Sequence, residues 1–112
     1  IPFLMPGYKV AENTHCAELW IGSHPSGEAS IVKDGTKLSQ VFSQAPHHFL
    51  GTRVVDKFSA QMPFLFKVLS IAKPLSIQAH PDLSTAKKLH LSDPKNYPDN
   101  NHKPEIAIAL TE

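Results

Sequence analysis

Ser76, Gln78 and His80 stand at alternate positions in the stretch SIQAHP (76–81), with Ile77 and Ala79 between them. Side chains of an extended chain alternate faces with a period of two, so the hydroxyl, amide and imidazole point the same way. A solvated sheet face accounts for that pattern with no function at all. An inward-facing set instead requires partners: hydrogen bonds, a substrate or a metal ion. Lys103 and Glu105 also lie two apart, at the entry to the apolar run EIAIAL (105–110). Brought together, the two segments place Gln, His, Glu, Lys and Ser on one concave face. Histidine and glutamate are common ligands of a divalent metal, and glutamine is a weaker oxygen ligand. Two strong ligands and an amide leave the ion needing a further protein ligand or water, the open position that a catalytic metal requires. Spacing alone does not decide between these readings.

The elements that must position these residues follow from the flanking sequence. FLFKVLSIA (64–72) is short and rich in aromatic and aliphatic residues, which suits a buried strand. Lys73-Pro74 interrupts it, LSIQAH (75–80) reads as a second strand, and Pro81 ends the ladder because it has no N–H to donate. Asp82 or Ser84 caps a helix through LSTAKKLHLS, whose Leu83, Ala86, Leu89 and His90 share a face. DPKNYPDNNHKP (93–104) is a turn-rich loop that delivers the chain into a last strand, EIAIAL. Upstream, AELWIGSHPSG (17–27) reads as a short strand running into a turn. TKLSQVFSQAP (36–46) has helical spacing at Leu38, Val41 and Phe42, with Pro46 at its end. Residues 47–62 form a connection with some helical tendency. Short strands with small helical excursions favour an α+β or mainly β chain over a doubly wound sheet, and there is no glycine-rich phosphate loop.

Composition narrows the function. The chain has 112 residues, enough for one domain, with eleven basic against ten acidic residues and a net charge of +1. That balance gives no electrostatic case for nucleic acid or an anionic membrane. The single cysteine, Cys16, forms no internal disulfide, which fits a reducing compartment, and its ordinary role is that of a small apolar residue. No apolar run is long enough to span a bilayer and no signal peptide is visible, so the reading is soluble and cytoplasmic. No nucleophile-elbow motif surrounds the serines. His47 and His48 read as surface residues, His102 as a loop hydrogen-bonder and His90 as a partly exposed helix residue; Lys87-Lys88 is a solvated helix face. A start at Ile1-Pro2 and a stop straight after IAIAL lead us to expect a piece of something larger.

FLFKVLSIAKPLSIQAHPD, followed by DPKNYPDNNHKPEIAIALT, strongly resembles the type I mannose-6-phosphate isomerases (phosphomannose isomerases), and AELWIGSHPSG resembles their N-terminal segment. The resemblance covers most of residues 17–112. It implies a zinc-dependent isomerase that interconverts mannose 6-phosphate and fructose 6-phosphate through a cis-enediol. It also implies a cupin-like β jelly-roll core, mainly β with small helices, of which residues 1–112 are an N-terminal portion with helical excursions at 36–46 and 82–92. The implied ligands of a single Zn²⁺ are Gln78, His80 and Glu105; a fourth ligand, a histidine, and a catalytic arginine belong to family sequence further downstream. Lys103 carries over as the catalytic residue and Ser76, Lys67 and Glu18 as substrate-binding residues, in a monomer acting on a sugar phosphate. Trp20 has a sugar-stacking reading beside a packing one. Family members often carry Lys where this chain has Leu83, a peripheral departure, and residues 1–16 match poorly. The alternatives are a cupin-type binding module without turnover and a non-haem iron cupin.

Overall fold

Two four-residue runs, ELWI and FKVL, have the aromatic and β-branched content of a ladder. In the computed structural model, which describes residues 4, 7, 9, 11 and 14–111, they form strands β1 (Glu18–Ile21) and β2 (Phe66–Leu69). Most of the N-terminal stretch 1–16, read from sequence as diverged, therefore lies outside the described residues. The strands pair antiparallel, Glu18 opposite Leu69 and Trp20 opposite Lys67. Alternation then puts Glu18, Trp20 and Lys67 on one face and Leu19, Ile21, Phe66 and Val68 on the other. A bond from Ser70 N–H to Ala17 C=O at 2.8 Å continues the ladder.

Between the strands lie three short helices, α1 (Leu38–Gln44), α2 (Pro46–Leu50) and α3 (Thr52–Phe58). Gln40 Oε1 accepts the Lys37 N–H at 3.2 Å, and Glu28 Oε1 reaches from a distant turn to accept the Ser39 N–H at 2.6 Å. Both satisfy donors that the first turn of α1 leaves open. Pro46 does end α1, and it also opens α2 at the N1 position, where its missing N–H costs nothing. Gly51, at φ +77°, supplies the left-handed corner between α2 and α3. The helical tendency of residues 47–62 thus resolves into two helices.

The chain divides into two compact units, Ile1–Lys73 and Pro74–Glu112. In the second, α4 (Leu83–Ser92) starts where the sequence places it: the Asp82 carboxylate accepts the Thr85 N–H at 2.7 Å and the Ser84 hydroxyl at 3.0 Å. Ala86, 3% exposed, faces inward, with Leu89 and His90 half-buried beside it.

Three expectations are corrected. Residues 75–80 and 105–110 run without regular secondary structure, because neither finds a ladder partner among the described residues. The strand within 64–72 is real but short, and Phe66 is exposed rather than buried. With two four-residue strands against helices of 7, 5, 7 and 10 residues, the described chain is mixed rather than mainly β.

Candidate functional site

In the second unit, the residues that leave the SIQAHP segment and those of the 93–104 loop enclose an open cleft of about 460 Å³. Gln78 and His80 form one wall; Asn96, Tyr97, Asp99 and Lys103 line the rest. The loop is held by its own side chains. Asp93 accepts from the Asn96 side-chain amide at 2.7 Å and from its N–H at 3.3 Å, and the Tyr97 N–H reaches Asp93 C=O at 3.0 Å. Asp99 repeats the device with the Asn101 N–H at 3.0 Å. Such Asx turns fix a proline-rich segment that has few backbone donors.

Two contacts give the site its charge pattern. His80 Nε2 lies 3.4 Å from Glu105 Oε2, although the two are far apart in sequence. Lys103 Nζ lies 3.0 Å from Asp99 Oδ2. An ammonium has three N–H donors, so Lys103 retains donors for an incoming anion while it holds Asp99. Ser76 is exposed. Side-chain exposures of 31% for His80 and 63% for Glu105 leave both atoms accessible to a ligand.

The His80–Glu105 pair permits a test of fit for a metal. Two donors each about 2.1 Å from a tetrahedral ion stand about 3.4 Å from one another, and these two atoms are 3.4 Å apart. That spacing is compatible with two ligands of one zinc ion, and Gln78 lies on the same cleft wall as His80. Among the described residues no group of three or more His, Cys, Asp or Glu gathers as a metal site.

Glu18 and Lys67 belong to the first unit and are bonded to each other across the sheet, Lys67 Nζ to Glu18 Oε2 at 3.3 Å. The Trp20 indole N–H also donates to Glu18, and the Lys67 ammonium sits 4.8 Å from the Trp20 ring centre. The Trp20 hydrogen bond and the Lys67 charge hold the Glu18 carboxyl below the usual carboxylate range. Trp20 is half-buried, with His24 edge-on at 5.2 Å and Gly27 against its ring, the surroundings of a packed side chain. His47 and His48 are exposed, as expected of surface residues, and so are Lys87 and Lys88. Sequence reasoning missed Asn96, Tyr97 and Asp99 as lining residues. Their signal was the Asx and proline content of the loop, which marks turns and not what the turns enclose.

The family described as "Phosphomannose isomerase type I, catalytic domain" matches residues 4–112, so the stretch before Ala17, expected from sequence to match poorly, belongs to the match from residue 4 onward. The mannose-6-phosphate isomerase of Schizosaccharomyces pombe is 53% identical over 106 residues, covering 95% of this chain and 25% of that protein. That of Homo sapiens is 51% identical over 109 residues, covering 95% and 26%. A crystal structure of mannose 6-phosphate isomerase bound with zinc and yttrium is similar at a TM-score of 0.71 and 31% identity, over 88% of this chain and 28% of that one. A glutamate-to-alanine mutant of phosphomannose isomerase from Salmonella typhimurium gives 0.72 and 34%, over 86% and 26%. The chain spans about a quarter of the length of the curated relatives it matches. By sequence and by fold alike, the chain belongs to the type I phosphomannose isomerase family.

Proposed function

We propose that the protein to which this chain contributes is a zinc-dependent mannose-6-phosphate isomerase of the cytoplasm, and that Gln78, His80 and Glu105 are zinc ligands within a larger cupin-like catalytic domain. The observation that carries the reading is the 3.4 Å approach of His80 Nε2 to Glu105 Oε2 beside a cleft that also holds Gln78 and Lys103. Family membership supports the choice of substrate, and a zinc-bound relative supports the choice of metal.

Conversion of mannose 6-phosphate to fructose 6-phosphate takes a proton from C2 of the open-chain aldose and returns one to C1, through a cis-enediol. The C2 hydroxyl becomes a carbonyl and the C1 carbonyl becomes a hydroxyl, so no external oxidant or reductant is needed. Zinc, when bound, supplies Lewis-acid polarisation of the sugar oxygens. Lys103 is the catalytic side chain of the set: its ammonium, steadied by Asp99, meets the anionic substrate as a point charge. Ser76 contributes a hydroxyl donor. Gln78, a neutral donor, would leave a bound metal more electrophilic than a second anionic ligand beside Glu105 would. Glu105 serves as a ligand here and not as the proton acceptor. Glu18 and Lys67 are kept as substrate-binding residues on the strength of the family resemblance.

The test is His80→Ala in the full-length protein, with zinc content and isomerisation of mannose 6-phosphate measured on the same preparation. Loss of both is the expected result. A metal-free variant with full activity would overturn the assignment, and a zinc-loaded wild type without turnover would point to a binding module.

A further inference from the structure

His90 projects from the last turn of α4, on the face that carries Ala86, and its Nδ1 lies 2.6 Å from the carbonyl oxygen of Tyr97. A carbonyl can only accept, so Nδ1 carries the proton in this contact and the tautomer is fixed by it. Tyr97 is thereby held at both ends. Its N–H donates to Asp93 C=O at 3.0 Å and its C=O accepts from His90. The next residue is Pro98, which restricts Tyr97 to extended backbone and offers no N–H of its own. Past that point the Asn101 N–H donates to Asp99, and Asp99 pairs with Lys103. Tyr97 thus ties the cleft-lining part of the loop to the helix.

Resting on the isomerase reading above, we infer that His90 is a positioning residue. Its hydrogen bond to Tyr97 latches the 93–104 loop onto α4 and so sets where Lys103 stands in the cleft. His90 itself touches no reacting atom; it acts through the backbone. Helix α4 is the rigid partner, since it is capped by Asp82 and packs Ala86 inward.

The experiment compares His90→Ala and His90→Asn with wild type in the full-length, zinc-loaded protein. The asparagine amide nitrogen places a donor close to the position of Nδ1. Losing one hydrogen bond at this hinge raises KM for mannose 6-phosphate about five- to tenfold in His90→Ala. Zinc content and kcat stay within about twofold, and His90→Asn recovers most of the loss. Unchanged KM in His90→Ala, a joint fall of zinc content and kcat, or no recovery in His90→Asn overturns the assignment. Amide deuterium exchange over residues 94–103 is read on the same samples and needs no turnover. If wild type shows no isomerisation, the isomerase reading fails, and the latch stands or falls on exchange: faster in His90→Ala and restored in His90→Asn, or unchanged.

Discussion

Replacing Lys67 by Met and Glu18 by Gln, singly and together, measures what the ion pair on the sheet is worth. The charges are 3.3 Å apart, which gives about 1.3 kcal/mol in water and several times more in a low-dielectric interior. Side-chain exposures of 34% and 38% put the pair nearer the first limit, and ordering two flexible side chains offsets part of it. The expected coupling is about 0.5 kcal/mol. Lys67→Met alone costs about 1–1.5 kcal/mol, because the contact over the Trp20 ring contributes a similar amount and does not need the Glu18 charge. Glutamine at 18 keeps an oxygen to accept the Trp20 indole N–H, so the cycle isolates the charge. The assay is denaturant unfolding of the full-length protein at low and high salt. Glu18 is held below its ordinary range by Trp20 first and Lys67 second. A depressed carboxyl stabilises the fold fully above its unfolded pKa, and the contribution is lost as pH falls through the lower folded value. The coupling should therefore vanish as pH falls below the ordinary carboxylate range, and should shrink with salt. A coupling above about 2 kcal/mol that survives high salt would refute the reasoning, as would none at low salt and neutral pH.

A Cβ added at Gly27 would stand 2.9 Å from Cε3 of Trp20, a ring contacted by Lys67 and His24, so Gly27→Ala should cost about 1–3 kcal/mol in thermal or denaturant unfolding. At Gly22 the one close approach would be to the terminal Cδ1 of Leu65, also at 2.9 Å, which can turn aside, with Phe64 O and Leu65 Cα at ordinary contact distance; the cost there should be under about 1 kcal/mol, and a reversed order would show the Trp20 ring to be mobile. Lys103→Met should lower kcat/KM for mannose 6-phosphate about ten- to hundredfold, the worth of one charged hydrogen bond, while zinc content is retained. Unchanged kcat/KM would remove Lys103 from the site.

Local chemistry was legible in the sequence, and pairing over distance was not. Asp82 announced the start of α4, because an N-cap acts on a backbone donor three residues away. The period-two pattern of residues 76–80 grouped Ser76, Gln78 and His80 and set Ala79 apart, whereas the cleft is lined by Gln78, Ala79 and His80 together, and the ladder implied by that pattern did not form. A strand needs a neighbour, and no residue type within LSIQAH says whether one is present. The approach of His80 to Glu105 was anticipated as a juxtaposition of faces, and the family resemblance, not the spacing, raised it above coincidence. The Glu18–Trp20–Lys67 cluster depends on the register of β1 with β2, which apolar alternation leaves open among several choices. The His90–Tyr97 contact depends on the path of a loop and carried no signal beyond a half-buried histidine.

The apolar sides of the two donor-bearing segments bear on the site as much as the donors do. Ile77, Ile106, Ile108 and Leu110 are each at least 80% exposed. Covering them would contribute roughly 1.5–3 kcal/mol apiece, which together rivals the whole stability of an ordinary domain. Ile77 sits between Ser76 and Gln78, and Ile106 follows Glu105 directly, so cover on one side of each segment fixes which way the donors point on the other. Apolar cover on the far side of the segments would therefore do more to hold the donor set in place than the 3.4 Å contact between His80 and Glu105 alone. A single half-exposed contact of that kind is worth at most about 1 kcal/mol, several times less than covering those side chains would contribute.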